Sequence, residues 1–484
     1  MSLKKEFTSG VFYTSLAKYS GIVISLIITS VLSRLLTPED FGIVAIATVI
    51  ISFFNILGDI GIGPAVIQNR NLSKSDLNHI YSLTILVGIA LAAVFCVLSF
   101  AISSFYDDKE LRPVCQWLSL SIFFTCANIV PLNLQYKSKN FRRIAIITLI
   151  VQIVSGICAI IYAFAGGGVY ALVLSSLASS GILAMIYNYI ARLHFSIYID
   201  KSSIEKIFSF SMYQMMFNII NYFSRNLDKL LVGKYIGLSP LGYYEKSYRM
   251  MMLPLQNITF VITPVMLPVF AGIQDDRQLL VEKYNKVLSI LSYISFPLSV
   301  VLFFCGKELI LIVFGNQWMP AVLPFKILAF SVATQILTST AGSIYQAVSA
   351  TKQLFISGCW GAFFIVSGFI VAILFFPTLK AICYGFLLSQ LANAVQTFWL
   401  LYRTLDAKVT SLLRIILRPI LAGCICFVVL QLTEFLLPDN LNLIVSLLLK
   451  TIVGGLTWMV TISLLSPYSP CNFIMSRLKK SKHD

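Results

Sequence analysis

Apolar runs of roughly twenty residues follow one another from end to end of the chain, each bounded by a short polar connection. That length, as helix, matches the hydrocarbon thickness of a bilayer and is about twice what a barrel strand needs. Inside a bilayer no water is available to the backbone, so each run must pair its own amides, and helices are predicted. About fourteen spans are expected. They start near Val11, Phe41, Asn78, Pro113, Phe141, Gly168, Ile204, Leu241, Asn285, Val322, Gln353, Leu379, Ser411 and Leu441. The connections, such as those from Ser103 to Arg112 and from Arg192 to Lys206, are too short for a separate domain. Pro254, Pro264 and Pro268 predict kinks or a short break in the eighth span. The expected fold class is an all-α polytopic membrane protein.

Composition agrees: 58% of residues are hydrophobic and 12% charged, where soluble domains carry about 25% charge. The first run, Val11 to Leu36, is too long for a signal peptide core and has no small-residue cleavage site, so it is expected to be the first span. The ten cysteines lack CxxC spacing and lie mostly in apolar runs, where they act as small packing residues. The three histidines are scattered, so no zinc site and no cofactor is expected. Gly166-Gly167-Gly168 has no strand before it and no GKS or GKT, which makes it an outer turn and not a phosphate loop.

Of the 36 lysines and arginines, roughly 23 fall in alternate connections counted from the N-terminus and roughly 5 in the opposite set. The rich side includes Lys4, Lys5, Arg70, Lys74, Lys137, Arg142, Arg403, Lys408, Arg414, Arg418, Lys479 and Lys480. By the positive-inside rule both termini are expected in the cytoplasm. The same bias accounts for most of the net charge of +16. Charge spread over loop ends does not suit nucleic acid, and no such partner is expected.

One run departs from plain apolarity. Gln214, Asn218, Asn221, Arg225, Asp228 and Lys229 are spaced by three and four and share one helical face. Ionisable residues at membrane depth cost roughly 3 kcal/mol or more, so three on one face point to a wet cavity in a transporter. Residues from Phe7 to Gln68 also resemble those from Phe208 to Gln274, at an offset of about 200. Phe41-Gly42 falls on Leu241-Gly242, while Thr14, Lys18, Gly21 and Ser25 match Gln214, Asn218, Asn221 and Arg225. Two parallel six-helix lobes are expected, residues 1–200 (spans one to six) and 201–406 (spans seven to twelve). Residues 407–484 add spans thirteen and fourteen and a cytoplasmic tail.

The segments LSRLLTPEDFGI and SRNLDKLLVGKYIG resemble the Wzx-type (WzxC-like) lipopolysaccharide and capsule exporters. These are polysaccharide transporters of the multidrug/oligosaccharidyl-lipid/polysaccharide exporter superfamily, and the resemblance runs over essentially the whole chain. It implies flipping of undecaprenyl-pyrophosphate-linked oligosaccharide across the bacterial inner membrane, with no enzymatic step. It also brings the lipid bilayer as surroundings and a polysaccharide polymerase and chain-length machinery as partners. In relatives that flip cell-wall precursors, a pair such as spans thirteen and fourteen borders a groove for the lipid tail. The competing classes are a drug exporter of the same superfamily and a membrane oligosaccharide polymerase or ligase. The first normally shows fewer lumenal cations, and the second needs a large outer loop.

A pyrophosphate head calls for a hydrated, cationic lumen. Lys18, Arg225, Lys229, Arg249, Lys326 and Lys450 lie within or at the ends of spans and are the candidate substrate contacts. Asp59, Asp228 and Glu245 are the candidate ion-coupling or lobe-latch acids. Each has a plainer reading. Lys18 can snorkel to the surface, Arg225 and Asp228 can form an ion pair, and Lys229 can anchor at the interface. Glu245 and Arg249 can form an i,i+4 pair, and Asp59 can cap a helix end.

Overall fold

The computed structural model describes residues 3–59, 61–69, 71–196, 222, 226–438 and 441–465. Among them there are helices and turns and no strand. Eleven helices are long and apolar enough to cross a membrane, or twelve if one bent pair counts as a single span. The expected start near Ile204 lies outside the described residues.

The first half runs α1 (Leu3–Leu35), α2 (Pro38–Asp59), α3 (Ile62–Gln68), α4 (Lys74–Tyr106), α5 (Leu111–Lys137), α6 (Phe141–Phe164) and α7 (Tyr170–Ala191). A short helix, α8, covers 226–235. Then come α9 (Leu238–Ala271), α10 (Arg277–Phe304) and α11 (Gly306–Phe314), followed by a 3-10 turn, Asn316–Ala321. The tenth expected span is made of three pieces, α12 (Val322–Ala329), α13 (Ser331–Ser339) and α14 (Ala341–Ala347), with a 47° bend between the first two. The last four helices are α15 (Thr351–Phe375), α16 (Leu379–Thr404), α17 (Val409–Leu436) and α18 (Leu443–Leu465). By contact density the chain divides into two compact units, Met1–Gly242 and Tyr243–Asp484.

Local chemistry sets the helix starts. At the head of α2 the Thr37 amide donates to Asp40 Oδ2 at 2.8 Å and the Asp40 amide to Thr37 Oγ1 at 3.2 Å, satisfying two donors that a helix leaves free. Ser73 and Asp76 do the same for α4. Asp276 caps α10 and Thr378 caps α16. Pro254, Pro264 and Pro268 leave α9 as one continuous helix and do not break it.

Within the first unit, two helix starts touch reciprocally. A Cβ on Gly42 would stand 2.0 Å from the Leu238 carbonyl oxygen, and one on Gly242 would stand 2.0 Å from the Pro38 oxygen. Pro38 and Leu238 are the first residues of α2 and α9. Only glycine lets two backbones meet this closely. The two contacts are related by the same offset of about 200 at which the two stretches of sequence resemble each other.

In the second unit, α17 packs on α10 through small-into-large contacts. Gly423 lies against Phe296, and Cys426 and Leu430 close over Val300 and Phe304. On α18, Gly454 admits Val301, and the Trp458 indole donates to the Tyr293 carbonyl at 2.7 Å. The Tyr293 hydroxyl in turn donates to the Leu465 carbonyl at 2.8 Å. Small residues at such crossings let helices approach where lipid supplies no hydrophobic drive between them.

Candidate functional site

In the first unit, the second span is interrupted after Asp59. Gly61 takes a left-handed turn (φ 72°) and α3 restarts at Ile62. Asp59 Oδ1 accepts the Gly63 amide at 3.0 Å, so the carboxylate bridges the break and caps the new helix. Gly63 makes room for α5, because a Cβ there would come 2.7 Å from the Asn133 side-chain nitrogen and push that side chain aside. Cys126 of the same helix lies against Gly58. One turn before Asp59, the Asn55 side-chain oxygen is buried and, among the described residues, has no hydrogen-bond partner, as is true of that of Asn128 on α5. Discontinuous spans with unsatisfied polar groups are where membrane transporters place polar cargo or ions.

Lys18 is half-buried on α1. On the same helix the Gly21 carbonyl accepts from Gln152 of α6 at 2.9 Å. Asp228 is buried and Lys229 half-buried on α8. Arg225, with Gln214, Asn218 and Asn221, lies outside the described residues. The Tyr222 hydroxyl donates to the Val49 carbonyl of α2. The far end of α8 is tied to α4. Lys234 pairs with Asp107 at 3.0 Å and lies over the Phe105 ring, and the Tyr106 hydroxyl donates to the Leu230 carbonyl at 3.2 Å.

In the second unit, Glu245 is half-buried and Arg249 exposed on α9. Three lysines are gathered around α11 by different means. Lys450 of α18 reaches Glu308 Oε1 at 2.8 Å, the Phe304 carbonyl at 3.2 Å and Glu434 Oε1 of α17 at 3.4 Å. Ser446 donates to the same Glu308 oxygen at 2.6 Å. The Lys450 and Glu308 side chains are 5% and 4% exposed, which makes this a buried ion pair in which every removal is costly. Lys326 extends over the Phe303 ring at 5.2 Å and beside Gly306. Lys246 lies between Phe314 at 5.3 Å and Trp318 at 5.4 Å, in an aromatic slot where cation–π attraction offsets part of its desolvation.

Glu308, Glu434 and Lys246 were missed by the reading of the sequence. Lys307-Glu308 looks like an ordinary polar pair closing a span, and Glu308 is 142 residues from Lys450, so no local spacing joins them. Lys246 had a local signal, as a cation between Tyr243 and Met250 on an apolar helical face.

Comparison with known proteins adds the family. Residues 31–323 match the polysaccharide biosynthesis protein family. The chain is 24% identical to the lipopolysaccharide biosynthesis protein WzxC of Escherichia coli, over 83% of this chain and 82% of that one. It is 26% identical to the teichuronic acid biosynthesis protein TuaB of Bacillus subtilis, over 92% and 93%. Among solved structures the fold is like that of the lipid II flippase MurJ in an inward closed conformation. The TM-score is 0.73 at 14% identity, covering 94% of this chain and 98% of that one.

Proposed function

The chain belongs to the polysaccharide biosynthesis protein family, and from that membership we propose that it flips a lipid-linked oligosaccharide. The cargo would be built on undecaprenyl pyrophosphate and pass from the cytoplasmic to the periplasmic leaflet of a bacterial inner membrane. The observation that carries this reading is a family match joined to a near whole-chain likeness to a lipid flippase fold. The cargo leaves as it arrived, so no bond is made or broken and no catalytic group is required.

In this reading the lobes 1–200 and 201–406 rock about a central site and open to one side at a time. Lys18, Arg225, Lys229 and Arg249 contact the phosphates and acidic sugars. Asp59, at the broken second span, gains or loses a proton or cation as the site turns, and Asp228 and Glu245 latch the lobes. Lys326 and Lys450 serve the same cargo indirectly, through the packing of the second unit. Both termini face the cytoplasm, and a polymerase with its chain-length machinery takes over the product.

The test is a strain lacking the gene. Lipid-linked oligosaccharide should accumulate out of reach of an impermeant glycosidase added to spheroplasts, and the restored gene should expose it. Equal exposure with and without the gene would overturn the proposal.

A further inference from the structure

Hydroxyls on the broken tenth span behave differently on its two faces. On the packed face they reach other helices. Thr340 shares a hydrogen bond with the Tyr284 hydroxyl of α10 at 2.9 Å, and Tyr345 donates to the Thr397 carbonyl of α16 at 3.3 Å. The other face holds Phe330, Thr334, Thr338, Gly342 and Gln346, each four residues after the last, with Gln335 beside them. The first four are half-buried and Gln346 is exposed. A Cβ on Gly342 would meet nothing within 4 Å.

On this open face the hydroxyl protons are used within the span itself. Thr334 donates to the Ser331 carbonyl at 2.9 Å and Thr338 to the Thr334 carbonyl at 2.9 Å. Gln335 donates its amide to Ser331 Oγ at 2.8 Å, and among the described residues its side-chain oxygen has no partner. The exposed face of neighbouring α16 is apolar, with Leu388, Leu391 and Val395, as lipid requires. Polar side chains in the middle of a span face protein or water, so the open stripe of the tenth span lines a hydrated cavity.

The atoms of the stripe select what it can hold. A hydroxyl whose proton is already given can still accept, and an amide oxygen only accepts, so the stripe calls for donors. From Phe330 to Gln346 there is no charge, and Lys326, one turn earlier, lies over the Phe303 ring at 5.2 Å. Phosphate brings charge and further acceptors and is a poor match. Sugar hydroxyls are neutral donors. The Phe330 ring, 4.7 Å from that of Phe303, adds an apolar surface that suits the C–H face of a sugar ring.

We propose that Phe330, Thr334, Gln335, Thr338 and Gln346 form a contact face for the oligosaccharide part of the cargo, with Gly342 leaving it room. The face reads uncharged sugar hydroxyls, while cations elsewhere hold the diphosphate. This rests on the transport reading and gives it specificity-determining residues.

The test places a photo-crosslinking residue at Gly342, in full-length protein in zwitterionic nanodiscs. The probes are lipid-linked oligosaccharide extracted from the organism's own membranes and undecaprenyl diphosphate without sugar. Crosslinking to the oligosaccharide lipid is expected, at least about tenfold above that to the sugar-free lipid. It should fall about tenfold in Thr334→Val/Gln335→Leu/Thr338→Val, which removes three acceptors. Thr334→Ser/Thr338→Ser keeps the hydroxyls and should lose less than about twofold. Equal crosslinking to both probes, a product dominated by nanodisc phospholipid, or no loss in the triple variant overturns the contact face. Thermal melting of the variants must match the parent. If the triple variant melts lower, Thr338→Val alone decides, with a loss of about threefold expected. Flipping is measured in proteoliposomes with the same preparation. If the parent flips while crosslinking ignores the sugar, only the contact face fails. If crosslinking follows the sugar but nothing flips, only the transport reading fails.

Discussion

Glu308 lies 2.8 Å from the Lys450 ammonium and 2.6 Å from the Ser446 hydroxyl, almost sealed from solvent in the second unit. Asp59, in the first unit, has the Gly63 amide at 3.0 Å and, among the described residues, no cation within ion-pair distance. Both carboxylates sit in helices that break or restart. One is neutralised by a fixed partner from a helix far along the chain. Among the described residues, the other is held by one backbone amide. A fixed pair resists change, because separating it strands a buried charge. A carboxylate held by one N–H keeps its geometry whether or not it carries charge, since an amide or acid oxygen accepts the same bond. The first arrangement suits a weld between elements, and the second suits a group that changes charge during a cycle.

The sharpest way to break this contrast is Lys450→Met. It should destabilise the protein by about 3–5 kcal/mol, because Glu308 is left charged and unpaired, and thermal unfolding in detergent would show it. Lys450→Met combined with Glu308→Gln should recover most of that loss, and a double variant no better than the single would show that the pair is not the weld. Next in size is Gly42→Ala. Its Cβ must displace the Leu238 carbonyl, a cost of about 1–3 kcal/mol as overpacking. Gly242→Ala should cost about the same if the contact is reciprocal, so a large difference between their melting temperatures would undo the symmetry.

Asp59→Asn should change stability by less than about 1 kcal/mol, because the bond from Gly63 survives. Export of surface glycan should nevertheless fall at least about tenfold if the charge is used. Normal export at matched protein level would reduce Asp59 to a cap. Lys18→Ala and Arg225→Ala should each lower export with membrane abundance unchanged, and Arg225→Lys should restore it only partly. Lys246→Met keeps the volume in the aromatic slot and should leave export unchanged while losing about 0.5–2 kcal/mol of cation–π attraction, read by denaturant titration.

Lys450 was visible in the sequence as a cation within an apolar run, and its depth in α18 is what the pattern implied. Its partners were not visible. The tenth span likewise was legible as one apolar stretch, yet the chain divides it at Phe330 and Thr340. The Ala333 amide there donates at 2.9 Å to Ser299 of α10. A neighbouring helix can thus satisfy an amide at an interrupted span, and hydropathy, which averages over the whole run, does not register the break.

By itself the sequence determined the helical class, most of the spans and the two glycines, Gly42 and Gly242, at which helix starts meet. These follow from run length, apolar content and the backbone space a glycine leaves, all properties of a short stretch of chain. Tertiary structure decided which charges are spent on packing: Lys450 on Glu308, Lys246 on Phe314 and Trp318, and Lys326 on Phe303. The worth of a charge in a bilayer depends on what stands within a few ångströms of it, and those neighbours come from helices that only folding brings together.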